Sequence, residues 1–250
     1  MKSDYSAYDL TASVDRIDEI LDSNDADYTE QDSIPSRDTL TFTNGFYVYC
    51  SALFIDMRGS KKLPEKHKNP TLAKIYRTYI SELVAILRDN TCIREISIEG
   101  DCVWAIYDTP KKVHIDLVFA SAYYAASLVD ILNYKYSKRN ITEISVGIGA
   151  SYGRALMIKA GYKGSGVNEV TWMGTLVGEA AKLCSHGNRD YSNKEIFVSN
   201  VFHDNLNDEN KKLLVKHYSL DCYHGNVISI AMNNWLDEQK QRDQATKTYR

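Results

Sequence analysis

The sequence predicts an α/β fold of the α+β kind, a ferredoxin-like palm, on three observations. Between residues 46 and 150 the segments alternate in the order β-α-β-β-α-β. Two of the strands end in an aspartate beside a turn. The helix at 71–90 carries an apolar stripe, and in this order the helices would cover one sheet face and leave the other open.

Composition narrows the class. The chain has 250 residues, 44% of them hydrophobic, ample for a core. A net charge of -3 gives no general attraction to nucleic acid or an anionic membrane. No apolar run approaches the ~20 residues of a membrane span. The first ten residues, MKSDYSAYDL, lack the apolar stretch of a signal peptide. The expectation is a cytoplasmic protein with no nucleic-acid or membrane partner. Cysteines 50, 92, 102, 184 and 222 are scattered and form no CxxC pair, so they read as small core residues.

Residues 1–45 read as an N-terminal extension with one short helix and a linker. The helix covers Leu10–Leu21, with Leu10, Val14, Ile17, Ile20 and Leu21 on one face. Residues 22–44 hold few apolar side chains and read as extended or mobile. The catalytic domain is expected over 46–236. It opens with a strand at 46–55, then a helix at 71–90 striped by Leu72, Ile75, Tyr79, Leu83 and Ile86. Segments 93–98 and 102–107 form a hairpin. A long helix over 112–136 starts just after Pro110. Segments 144–150 and 154–158 read as a second hairpin turning at Tyr152-Gly153. A short strand follows at 167–172, then a helix at 174–184 with Leu176, Ala180 and Leu183 inward, closed near Gly187. The last strands are expected at 195–198 and 227–232. Residues 237–250 read as a charged, frayed tail.

The chemistry sits at three places. The first strand breaks at Asp56 into a turn of Arg58, Gly59 and Ser60. The hairpin joins Ile96-Ser97-Ile98 to Cys102-Val103-Trp104 through Glu99-Gly100-Asp101. If these strands are neighbours, two carboxylates meet at one sheet edge. They repel unless a cation lies between them, and hard oxygen ligands favour Mg²⁺ or Mn²⁺. A pair of such ions suits in-line attack at phosphorus. The bland reading is that Asp ends many strands and Gly-Asp is a common turn. The third place, 172–183, reads WMGTLVGEAAKL. Its Trp-x-Gly turn opens a helix of small residues, leaving backbone donors for a phosphate.

Taken together, these segments resemble the class III nucleotide cyclases. The family's Phe-x-Asp-Ile-x-Gly-Phe-Thr is matched by Phe54-Ile55-Asp56-Met57-Arg58-Gly59-Ser60-Lys61. Its Gly-Asp followed by an aromatic-Ala is matched by Gly100-Asp101-Cys102-Val103-Trp104-Ala105. Its Val-Gly-Ile-His-x-Gly appears as Val146-Gly147-Ile148-Gly149-Ala150-Ser151. Its helix Gly-x-x-Val-Asn-x-Ala-(Ser/Ala)-Arg-Leu appears as Gly174-Thr175-Leu176-Val177-Gly178-Glu179-Ala180-Ala181-Lys182-Leu183. The departures are specific. The family's transition-state Asn falls on Gly178, its Arg on Lys182, and an Arg before Val-Gly-Ile on Ser145. Its base-reading pair falls on Ser97 and Thr171, which match neither the adenine nor the guanine pattern.

With that base pair, the chain is similar to the pyrimidine cyclases of Pycsar antiphage defence. The resemblance implies a nucleoside triphosphate substrate, UTP ahead of CTP, closed to a cyclic monophosphate that acts on a separate effector. It implies two Mn²⁺ or Mg²⁺ ions held by Asp56, Asp101 and the Met57 carbonyl. Backbone groups of Arg58, Gly59, Ser60 and Lys61 would cradle the triphosphate. Lys182 would offset charge at the α-phosphate, and Ser97, Thr171 and Trp172 would line the base site. It also implies a homodimer with shared sites, each taking Lys182 from the other chain. Tyr47, Tyr49 and Trp172 read either as pocket walls or as dimer packing. Lys61 or Lys62 would assist at the phosphates or, as the commoner case, both are solvated surface charges. His224 and Asn226 fall where the family places a phosphate-binding Lys, and read rather as a surface turn. The alternatives are an adenylate or guanylate cyclase, and a degenerate nucleotide-binding module. A diguanylate cyclase is disfavoured, since the hairpin lacks paired glycines.

Overall fold

A computed structural model describes residues 5–248. Residues 1–4 of the expected extension and 249–250 of the expected tail lie outside the described residues. In chain order the strands are β1 (Tyr28–Glu30), β2 (Gly45–Arg58), β3 (Ile93–Glu99), β4 (Cys102–Asp108), β5 (Ser145–Gly161), β6 (Asn168–Met173), β7 (Ile196–Val198), β8 (Val215–His217) and β9 (Cys222–Gly225). The α-helices are α1 (Leu10–Leu21), α2 (Leu63–Lys66), α3 (Asn69–Asp89), α4 (Lys112–Ser137), α5 (Thr175–His186), α6 (Asn200–Asn205), α7 (Asp208–Lys211) and α8 (Ile230–Thr248).

One mixed sheet runs in the order β3-β4-β2-β5-β7-β9-β8, with β1 beside β2 and β6 beside β5. The β2-α3-β3-β4-α4-β5 part is the predicted palm. Leu53, Ile55 and Met57 of β2 and Val146, Ile148 and Ala150 of β5 face one side, against Ile75, Tyr79 and Leu83 of α3 and Val118, Phe119 and Ala122 of α4. This alternation is the period of two that burying one strand face requires. Helix α4 is long and apolar enough to cross a membrane by composition, but most of its apolar residues lie in this core.

The opposite face is less open than the helix stripes suggest. Val48, Cys50, Ala52, Ile106, Ala155 and Met157 lie there, covered by Leu176 and Ala180 of α5 and by Ile34 and Leu40 of the N-terminal segment. Helix α5 sits so close to β5 that a Cβ on Gly149 would strike the Cys184 amide and the Ala180 carbonyl. That explains the Val-Gly-Ile-Gly spacing as a packing requirement.

Four expectations are corrected. Segments 144–150 and 154–158 are not a hairpin. They form one strand, β5, paired with β2 from Arg58↔Ser145 to Gly45↔Ile158. Gly153 lies opposite Cys50 in that ladder, and an unbroken ladder outcompetes a weak Tyr-Gly turn. Segment 227–232 is not a strand. Strand β9 ends before it, and Asn233 N–H already bonds back to the Ser229 carbonyl as α8 starts. Short apolar runs do not separate strand from helix by pattern. The charged tail is not frayed within the described residues. In α8, Leu236 is buried, Trp235 meets Tyr134 edge-on, and the Tyr134 hydroxyl donates to Asp243 at 2.7 Å. Nor is 22–44 an unattached linker. Strand β1 pairs with β2 in parallel, Ile34 and Leu40 are buried, and the Ile34 N–H bonds to Asp108 Oδ1 at 3.3 Å. Helix α1 forms where predicted, capped by Asp9, with no buried residue.

Candidate active site

Strand β2 extends past the expected end and carries Asp56, Met57 and Arg58 inside the ladder. Asp56 lies opposite Cys102 on β4 and Gly147 on β5. Asp101 occupies the turn residue just before Cys102. Gly100 ahead of it has φ +67, the left-handed conformation that glycine adopts without a Cβ penalty. The fold therefore brings the two aspartates together. Burial and then the Asp101 charge push the Asp56 carboxyl up, while Arg58 opposes them. The Met57 side chain is core, so only its backbone is available to a ligand.

Arg58 is committed to the protein. Its Nη1 donates to Asp56 Oδ2 at 2.8 Å, its Nε to the Gly187 carbonyl at 2.7 Å, and its Nη2 to the Cys184 carbonyl. The guanidinium passes over Gly147, where any Cβ would strike it. It thus ties the first aspartate to the end of α5. Gly59, at φ +67, turns the chain out of the strand into the short helical turn Ser60–Lys62. Lys61 and Lys62 are exposed. Helix α5 turns Gly178 and Lys182, one turn apart, to solvent, and the space beside Gly178 is open. Among the described residues Lys182 makes no ion pair with Asp56 or Asp101. It borders a hollow shared with Glu179, His186 and Asp221.

Ser97 and Thr171 are not brought to one face. Val170 and Trp172 of β6 point into the second core, so Thr171 points outward and is exposed. On Ser97's face, two residues earlier, stands Glu95. Its Oε2 accepts a 2.8 Å hydrogen bond from Trp172 Nε1. Four strand spacings of about 4.8 Å separate β3 from β6 in a flat sheet, beyond the reach of these two side chains. The bond therefore requires the sheet to curl. Glu95 Oε1 lies 3.3 Å from Arg37 Nε and is buried without a hydrogen bond. Nearer the aspartates, Phe54 and Trp104 stack at 5.0 Å, and Trp104 Nε1 donates to Glu99. Tyr49 is exposed beside Tyr152, and Arg154 lies over Tyr47.

Sequence reasoning passed over Glu95 and Arg37. The available signal was an acidic residue inside an apolar strand, two positions before Ser97. His224 is not at a surface turn. It is buried in β9 against Phe197 and His217, and its Nδ1 accepts from the Lys194 amide.

Residues 45–225 match the family model for the adenylate and guanylate cyclase catalytic domain. The chain belongs to the class III nucleotidyl cyclases. It is 37% identical to a uridylate cyclase of Gulbenkiania mobilis over 260 residues, 96% of this chain and all of that protein. It is also 37% identical to a uridylate cyclase of Treponema porcinum, over 92% of this chain and 82% of that one. The crystal structure of the guanylyl cyclase Cya2 superposes with TM-score 0.60 at 13% identity, covering 74% of this chain and 95% of that one. The adenylyl cyclase CyaB from P. aeruginosa gives 0.59 at 17%, covering 69% and 85%. Class III cyclases take nucleotide substrates and use divalent metal ions. The donor set here fits such an ion. Among the described residues no three of His, Cys, Asp and Glu converge, and the Asp56 carboxyl feels the charge of Asp101. One or two carboxylates completed by substrate phosphates is the pattern Mg²⁺ prefers.

Proposed function

We propose that this cyclase converts UTP to 3′,5′-cyclic UMP and pyrophosphate, with CTP its next-best substrate. The observation carrying the reading is that both relatives that match almost the whole chain are named uridylate cyclases. Ser97 and Thr171 are small hydroxyls where purine cyclases carry Lys and Asp or Glu and Cys. A hydroxyl can donate or accept, which suits the acceptor-donor-acceptor edge of uracil.

The ribose 3′-oxygen attacks the α-phosphorus. A new O3′–P bond forms, the bond to the bridging oxygen breaks, pyrophosphate leaves and the hydroxyl proton passes to solvent. Asp56, Asp101 and the Met57 carbonyl would hold two Mn²⁺ or Mg²⁺ ions. Such ions, when bound, acidify the attacking hydroxyl and offset phosphate charge. Arg58 holds the Asp56 carboxylate in place through its 2.8 Å bond. Backbone groups from Arg58 to Lys61 would cradle the triphosphate. Lys182 supplies a point charge to the phosphates. The exposed position of Lys182 on α5 supports a homodimer with two shared sites, each taking Lys182 from the other chain. The product serves as a cytoplasmic second messenger, acting on a separate effector in antiphage defence.

The test is pyrophosphate release with Mn²⁺ from each of the four nucleoside triphosphates, with the cyclic product identified. UTP should turn over fastest. Faster turnover of ATP or GTP would overturn the pyrimidine reading. No product from any of the four would leave a nucleotide-binding module.

A further inference from the structure

We propose that Glu95 is a specificity-determining positioning residue, and that Arg37 and Trp172 with it form a fixed wall admitting a single-ring base. This rests on the pyrimidine reading above.

Three observations carry it. Glu95 lies on the same strand and face as Ser97, two positions away, and its Oε2 accepts from the Trp172 indole at 2.8 Å. Trp172 follows Thr171 directly. One side-chain bond therefore joins the two strands that present the base-reading positions. The indole it holds is 6% exposed and packed on Ala155, Met157 and Val170. On this proposal its fixed bulk takes the room that the second ring of a purine would need.

Second, Glu95 is held from its other side. Oε1 lies 3.3 Å from Arg37 Nε, and the side chain is 12% exposed. A carboxylate fixed between an indole N–H and a guanidinium cannot swing away without leaving a buried charge unpaired.

Third, Arg37 belongs to the segment before residue 45, where the general cyclase match begins. The match to the Gulbenkiania relative leaves out 4% of this chain, about ten residues. It therefore reaches well into 22–44. The strap carrying Arg37 thus lies outside the general cyclase domain match and partly inside the match to a relative named a uridylate cyclase.

The experiment compares wild type with Glu95→Gln, Glu95→Ala and Arg37→Ala. It measures kcat and KM for UTP and ATP with Mn²⁺, tryptophan emission on titration with each nucleotide, and thermal unfolding. Glu95→Ala should lower the UTP-to-ATP ratio of kcat/KM at least tenfold, mainly through a lower KM for ATP, with a shifted tryptophan emission. Arg37→Ala, altering an exposed side chain, should shift the ratio in the same direction by a smaller factor. Glu95→Gln keeps an acceptor for the indole and should retain most of the selectivity. An unchanged ratio in folded Glu95→Ala would overturn the inference while leaving the pyrimidine reading intact. If Glu95→Ala does not fold, an unchanged ratio in Arg37→Ala overturns it. A wild-type enzyme preferring ATP overturns both, since the wall would then admit a purine.

Discussion

The Trp172 indole donates to Glu95 across the curled sheet, joining β6 to β3 at 2.8 Å. Both side chains are largely buried, so the bond is shielded from water. Trp172→Phe would keep the aromatic bulk and strand the Glu95 oxygen without its donor. The expected cost is about 1–3 kcal/mol of stability, read from urea unfolding. Trp172→Phe as stable as wild type would mean that water replaces the indole.

Asp56 and Asp101 repel each other, and the protein keeps both. Asp101→Asn removes a charge that pushes the Asp56 carboxyl up. It should abolish cyclic product and weaken Mn²⁺ binding by titration calorimetry, while the unfolding midpoint stays the same or rises. Product at a wild-type rate from Asp101→Asn, or from Asp56→Ala, would remove these residues from the metal site.

Lys182 on the solvent side of α5 makes the shared-site model testable. Asp101→Ala and Lys182→Ala protomers should each be inactive alone. Mixed under conditions where subunits exchange, they should recover up to about a quarter of wild-type activity, because half the dimers are mixed and each has one intact site. Exchange shown by mass with no recovered activity would place Lys182 in the site of its own chain.

Glu195 gives a pH signature distinct from the active site. Burial and then the neighbouring Asp130 charge push its carboxyl up to about 7. The folded state therefore holds a proton that the unfolded chain releases near pH 4.5. Stability from this group is present below pH 4.5 and falls as pH rises to about 7. Glu195→Gln should flatten that fall and be more stable than wild type at pH 8 by roughly 1–3 kcal/mol. Parallel stability curves for the two proteins between pH 5 and 8 would refute this origin. His186 and His224 act at the other end. Their pKa values are lowered, chiefly by burial, so their contribution is present above about pH 6.5 and lost in acid.

The parts of the fold legible in sequence were those with strong local signals. The stripe through Ile75, Tyr79 and Leu83 marks α3, and Gly100 marks the tight hairpin. The two aspartates were legible because each stands where a strand meets a turn. The continuity of β5 was not, because it depends on β2, distant in sequence, offering a full-length partner. Helix α8 was hidden by its charge, since its few apolar anchors, Met232, Trp235 and Leu236, all lie near its start. Ile34 and Leu40 are too sparse to announce that the N-terminal segment docks. The tie from Arg37 through Glu95 to Trp172 exists only after three distant segments meet, and no periodicity reports it.

The unbroken ladder between β2 and β5 also governs how the chain folds. Its partners lie 87 to 113 residues apart, from Arg58 with Ser145 to Gly45 with Ile158. Contacts that distant carry a large loop-closure cost and slow the search for the native state. On the ribosome, β2 can pair first with β4, which follows it by about fifty residues. That pairing brings Asp56 beside Cys102, while the other edge of β2 waits for β5 to emerge. An unpaired edge of this length is a template for pairing between chains. Temperature and synthesis rate should therefore set the yield of soluble cyclase more strongly than the stability of the finished protein does.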